Sequence, residues 1–62
     1  MALSDKPATD LNLEKDRIMQ LLNAWNRAVS EKRWAAAESL SNDVVTQAMR
    51  LRRATIVARE AE

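Results

Sequence analysis

The chain has 62 residues, a formal net charge of +1, and no Cys, His or Gly. Disulfides, Cys or His metal sites, nucleophilic triads and glycine-rich phosphate loops are excluded because their residues are missing. The near-neutral charge gives no global attraction for nucleic acid or an anionic membrane. We therefore predict no cofactor, no metal and no enzymatic activity. A chain this short buries only about 60% of the surface that its unfolded form exposes, so we expect a second chain to supply further buried surface.

The first residues, around Pro7, mix small, polar and charged types without an apolar period. This pattern is typical of a terminus without regular structure. We predict a flexible N-terminal tail over residues 1–9 and one helical-hairpin domain over residues 10–62. The start resembles neither an export signal nor a transit peptide, and no apolar run approaches the roughly 20 residues of a membrane span. These features predict a cytoplasmic protein.

Helix 1 is predicted over residues 10–30. Thr9 or Asp10 offers an N-cap, because its side-chain oxygen can accept a hydrogen bond from a free backbone N–H. Apolar residues then recur at spacings of three, four and seven, which places them on one stripe of a helix. The residues of this stripe that we predict for the core are Leu11, Ile18, Leu21, Leu22, Trp25 and Val29.

A polar cluster over residues 30–33 interrupts the stripe, and a new apolar stripe begins directly after it. No Gly or Pro marks the break, so one long helix is the alternative on local signals. We favour a turn because the phase of the apolar pattern changes there, which predicts helix 2 over residues 34–59. Its predicted core residues are Trp34, Ala37, Leu40, Val44, Ala48 and Leu51.

An antiparallel hairpin about this turn places residues whose numbers sum to about 63 at the same height. Trp25 then faces Ala36 and Ala37, which are small enough to leave room for an indole ring. The same alignment brings an arginine run near the end of helix 2 beside the acidic start of helix 1. The residues concerned are Arg50, Arg52 and Arg53, with Asp10, Glu14 and Asp16 opposite them. We expect these charges to form an ion-paired, solvated face.

Helix 2 carries more apolar surface than one partner helix covers, because some of its apolar residues lie roughly 100° or more from the Val44 side. An exposed patch of this kind usually marks an interface. The predicted fold is therefore an all-α antiparallel helical hairpin that dimerises into a four-helix bundle. A groove for a foreign helix is the alternative use of the same surface. The residues predicted to bind a partner are Val45, Met49, Arg52, Arg53 and Ile56.

The segment LLNAWNRAVSEKRWAAAESL, Leu21 to Leu40, resembles the bacterial flagellar export chaperones of the FliT type. The shared features are an apolar helix, a short polar turn, a Trp that opens the next helix (Trp34) and a Leu about six residues later (Leu40). This resemblance implies binding to a regulator or an export-motor component. The overall plan also resembles Rop-like RNA-binding hairpin dimers, and the size and composition resemble small phage-encoded inhibitors of host regulators or motor ATPases.

These observations predict a homodimeric protein that binds and modulates another protein, as a chaperone, an adaptor or a phage-type inhibitor. Two alternatives remain open. A Rop-like dimer would bind RNA or DNA through Arg50, Arg52, Arg53 and Arg59, since Arg engages phosphate in a bidentate manner. A purely structural unit would assemble beyond a dimer and bind no other protein.

Overall fold

A computed structural model of the protein describes residues 11–62, which form two α-helices that pack against each other. Helix α1 spans Leu11–Ser30 and helix α2 spans Trp34–Ala61, and residues 11–62 contain no strand. The predicted all-α pair of packed helices is confirmed, the single long helix is excluded, and α2 ends two residues later than predicted. The predicted tail and the N-cap at Thr9 or Asp10 lie outside the described residues.

The turn between the helices is closed by backbone hydrogen bonds, without a glycine. The N–H of Arg33 donates to the carbonyl of Ala28 at 2.8 Å, and the N–H of Lys32 donates to the carbonyl of Val29 at 3.0 Å. This pair of bonds is the Schellman motif, which satisfies the last carbonyls of a helix. The motif needs a left-handed residue, and Lys32 takes that conformation with φ 60°. The hairpin therefore holds a lysine where glycine is the least strained choice.

The two helices meet along a seam in which contacting positions alternate in steps of three and four. This is the spacing of a coiled coil. In α1 this repeat comprises Leu11, Glu14, Ile18, Leu21, Trp25 and Ala28, of which Leu11 and Trp25 are exposed, and in α2 it comprises Ala37, Leu40, Val44, Gln47, Leu51, Ala54 and Ala58. The buried apolar residues among them are all alanines: Ala28, Ala37 and Ala54. Small side chains at these places allow the helix backbones to approach closely.

One polar pair lies inside the seam. Gln47 is only 7% exposed, and its side-chain amide donates a hydrogen bond to the carboxylate of Glu14 on α1, which is half-buried. The two residue numbers sum to 61, close to the predicted alignment of 63. A buried polar group is costly unless it is hydrogen-bonded, so this contact favours one register of the two helices over others that would leave Gln47 without a partner.

The hairpin is elongated and its interior is thin. The radius of gyration is 14.7 Å and the principal extents are 48 × 20 × 13 Å, whereas a compact domain of this length would have a radius of gyration of about 10 Å. No side chain within the described residues is fully buried. Two helices cover only one stripe of each other, so every larger apolar side chain retains some contact with solvent.

Five predicted core residues are exposed in the single chain, whereas the others are buried or half-buried. Ala37 is buried, and Ile18, Leu21, Val29, Leu40, Val44 and Leu51 are half-buried. The exposed residues are Leu11, Leu22, Trp25, Trp34 and Ala48. The seam residue in this turn of α2 is Gln47 rather than Ala48, because the seam repeats every seven residues and the polar Gln47 falls on that repeat. Trp34 is the first residue of α2 and is 61% exposed, so it is not part of the interior of the single chain.

Candidate functional site

An apolar groove lies between the two helices on one side of the hairpin. It has a volume of about 300 Å³ and is lined by Leu22 and Trp25 of α1 and by Ser41, Val44 and Val45 of α2. The one polar side chain in this lining is turned inward, because the Ser41 hydroxyl donates to the Ala37 carbonyl at 2.8 Å. The groove therefore offers a partner an apolar surface with no hydroxyl that is left to be satisfied.

Exposed apolar side chains extend this groove along α2. Val45 is 59% exposed, Met49 is 67% exposed and Trp34 is 61% exposed. Met49 lies one helical turn beyond Val45, so these two side chains continue the apolar surface of the groove, and patches of this kind mark interaction sites. Met also adapts its shape to different partners.

A second, larger concavity lies on the outer surface of α2. Its volume is about 550 Å³. The residues that line it are Thr46, Met49, Arg50, Arg52, Arg53, Ile56 and Val57. The lining thus combines three guanidinium groups with the apolar side chains of Met49, Ile56 and Val57. Such a site can hold a carboxylate or a phosphate, since Arg donates to these groups in a bidentate manner.

The arginines of this concavity have no acidic partner within residues 11–62. The ion pair in this part of the chain joins Arg33 and Glu31 at 3.5 Å, and both side chains are more than half exposed. Glu14, which the hairpin alignment placed beside the arginines, accepts its hydrogen bond from Gln47 instead. The predicted ion-paired face is therefore absent between the arginine run and Glu14 or Asp16, and Asp10 lies outside the described residues.

The structure divides the predicted partner-binding residues between the two concavities. Val45 lines the apolar groove, whereas Met49, Arg52, Arg53 and Ile56 line the concavity on the outer surface of α2. Four of these residues are exposed and Ile56 is half-buried. The predicted set is thus accessible along one helix, but it forms two adjoining surfaces of different chemistry, one apolar and one cationic.

The sequence interpretation missed Trp25 and Leu22 as surface residues, because both fall on the apolar stripe of α1. The repeat in steps of three and four could have identified Leu22 as a surface residue, since Leu22 lies one position beyond the seam residue Leu21. Trp25 belongs to the seam repeat, yet it is 38% exposed and also lines the groove. A tryptophan is too large for a two-helix seam to cover.

Among residues 11–62 there is no group of three acidic side chains placed to hold a metal ion. Neither helix has the length and apolar character needed to cross a bilayer. No protein-family model, curated protein or solved structure matches the chain.

Proposed function

We propose that this chain is a non-enzymatic, cytoplasmic interaction protein, which forms a homodimer as a four-helix bundle and binds and modulates another protein. The observation that carries the proposal is the apolar groove with its exposed extension along α2. Leu22, Trp25 and Val45 meet there around one concavity, and residues 11–62 supply no further helix to cover it. Burial of apolar surface stabilises an association by about 25 cal/mol per Å², which gives such a surface its affinity for a second helical face.

The partner class follows from the chemistry of the two surfaces. The apolar groove suits an amphipathic helix, whose apolar face would lie in it. The adjoining arginines suit acidic residues at the rim of such a partner, because opposite charges steer association and select the partner. A regulator such as a transcription factor, or a component of a motor or export machine, is the class that we propose. The likeness of Trp34 and Leu40 to the flagellar export chaperone pattern supports the same class.

The test uses light scattering across a dilution series on the full chain and on two double variants. Val45→Glu with Met49→Glu places two charges on the proposed surface, and we expect the mass to fall from two chains to one. Gln20→Glu with Asn23→Glu is the matched control, because both residues are exposed on α1 away from the seam, and it should remain dimeric. A wild-type chain that has the mass of a monomer at every concentration would exclude the homodimer.

The protein-modulator part is tested by capture from a lysate with the same three proteins. A specific protein retained by the wild type and the control, but lost with Val45→Glu and Met49→Glu, would support it. A chain that assembles beyond a dimer and captures nothing would instead support the purely structural unit.

A second candidate function, binding to RNA or DNA, is favoured by the three arginines that lack ion-pair partners among the described residues. Each phosphate that an arginine neutralises adds to the salt dependence of binding, with a slope of about −0.9 per contact for a duplex. We would measure binding of an RNA hairpin between 50 and 200 mM salt, conditions in which such contacts weaken. Arg50→Gln with Arg53→Gln should lower the slope by about two, whereas Arg17→Gln with Arg27→Gln removes the same charge from α1 and should not. No binding at low salt would exclude this function.

A further inference from the structure

Helix α2 presents a second stripe, separate from the seam, which we call the outer stripe. Its members are Trp34, Glu38, Ser41, Val45, Ala48, Arg52 and Ile56. At 100° per residue they fall within about 80° of one another and lie about 120° around the helix from the seam. Four of the five larger side chains in this set, including both charged ones, are exposed and Ile56 is half-buried. The outer stripe has the heptad-like spacing of a surface that packs against another helix.

The outer stripe is self-complementary about Val45. Glu38 and Arg52 lie seven residues before and after it, and Trp34 and Ile56 lie eleven residues before and after it. A two-fold axis through Val45 that sets two copies of α2 antiparallel would therefore place opposite charges together twice and aromatic against aliphatic side chains twice. Isologous interfaces have this reciprocal form, in which residue i contacts residue j and j contacts i.

The charges on the outer stripe form no ion pair within the part of the chain that the structure describes. Neither Glu38 nor Arg52 has an ion-pair partner among residues 11–62. They cannot pair with each other, since fourteen residues of one helix separate them by about 21 Å. A parallel arrangement of two copies would set Glu38 against Glu38 and Arg52 against Arg52, which is repulsive. Only the antiparallel arrangement turns these charges into attractive contacts.

We propose that the partner of the outer stripe is a second copy of this chain, with the two α2 helices antiparallel and centred on Val45. This inference rests on the proposed homodimer and specifies its orientation. Val45 packs on Val45 of the second copy, Glu38 pairs with Arg52 of the second copy at two symmetric places, and Trp34 covers Ile56. The apolar groove shares Ser41 and Val45 with this contact, whereas Leu22 and Trp25 on its α1 side stay open to the partner protein. Arg50 and Arg53, which are not members of the outer stripe, remain outside the contact.

The experiment is a charge reversal read by light scattering. Glu38→Arg alone sets Arg against Arg at both symmetric contacts, and Arg52→Glu alone sets Glu against Glu. We expect each to weaken self-association by about tenfold or more, since two surface pairs change from attraction to repulsion. Mixing the two single variants restores both attractive pairs between unlike chains, so the mixture should form a heterodimer. The double variant Glu38→Arg with Arg52→Glu should dimerise as the wild type does.

The matched control reverses one acidic and one basic residue of α2 that lie off the outer stripe. Asp43→Arg with Arg50→Glu, both at exposed positions, should leave the dimer unchanged. Helical circular dichroism accompanies each variant. If a single variant unfolds, recovery of helix on mixing or in the double variant supports the proposal, and lack of recovery overturns it. If the wild type is a dimer and the single variants self-associate as tightly as the wild type does, the proposed orientation is wrong and the homodimer is still supported. A monomeric wild type overturns both.

Discussion

The hydrogen bond between Gln47 and Glu14 should couple the two helices energetically. A hydrogen bond to a charged group contributes about 1.5–3 kcal/mol to stability when both partners are well buried. Gln47 is buried but Glu14 is half-buried, so water offsets part of this value and we expect a coupling energy of about 1–1.5 kcal/mol. Gln47→Ala, Glu14→Ala and the double variant form the cycle that isolates it. Their free energies of unfolding would be measured in urea at one protein concentration, because stability in an associating protein depends on concentration.

The control for the cycle is Gln20→Ala, which removes an exposed glutamine from α1 and should change stability by less than about 0.5 kcal/mol. The cycle tests register as well as strength, because only the observed alignment brings positions 14 and 47 together. If the losses from Gln47→Ala and Glu14→Ala add to within about 0.3 kcal/mol in the double variant, the two residues do not interact. That result would refute the position of the seam that we describe.

Three further predictions concern the turn and the seam. Lys32→Gly should stabilise the hairpin by about 1 kcal/mol, because Lys32 has φ 60° and a left-handed residue other than Gly costs about that amount. The free energy of unfolding would be measured by denaturation in urea, and a lower value for Lys32→Gly than for the wild type would show that Lys32 is not strained. Ile18→Ala should cost about 2 kcal/mol, the low end for such a change, since the residue is half-buried. A melting temperature within a degree of wild type would place Ile18 outside the seam. Ala37→Leu should destabilise by about 1–3 kcal/mol through overpacking, whereas Ala35→Leu at an exposed position should have little effect.

The fold of residues 11–62 was predictable to the level of two packed helices. The change of phase at residues 30–33 located the turn correctly even though no Gly or Pro marks it, because the apolar stripe of helix 1 ends at Val29 and a stripe with a different phase begins at Trp34. The pattern gave no sign that Lys32 would take the left-handed conformation. Lysine rarely does so, and the Schellman bonds that hold it there depend on backbone geometry rather than on side-chain type.

The seam itself was harder to predict, because apolarity was used to assign it. Gln47 lies on the seven-residue repeat, but its polar side chain removed it from the predicted core, and the neighbouring Ala48 took its place. Its partner Glu14 was assigned to an ion pair with arginine for a similar reason. A polar residue can occupy a seam when a second polar residue across the seam satisfies it. Whether such a partner lies across the seam depends on which residues the fold brings together, and a single sequence does not show this.

The location of the large side chains links stability to function in this molecule. The seam buries alanines, whereas Trp34, Val45 and Met49 face outward. The residues that could contribute most to burial therefore do so only when a second surface covers them. A substitution such as Val45→Glu would weaken binding and also remove the contact that stabilises the bound hairpin, so loss of binding and loss of folding would coincide. Charge reversal at Glu38 and Arg52 leaves the apolar residues in place, and mixing the two variants restores the contact, so a loss that is caused by the lost contact can be recognised because it is reversed.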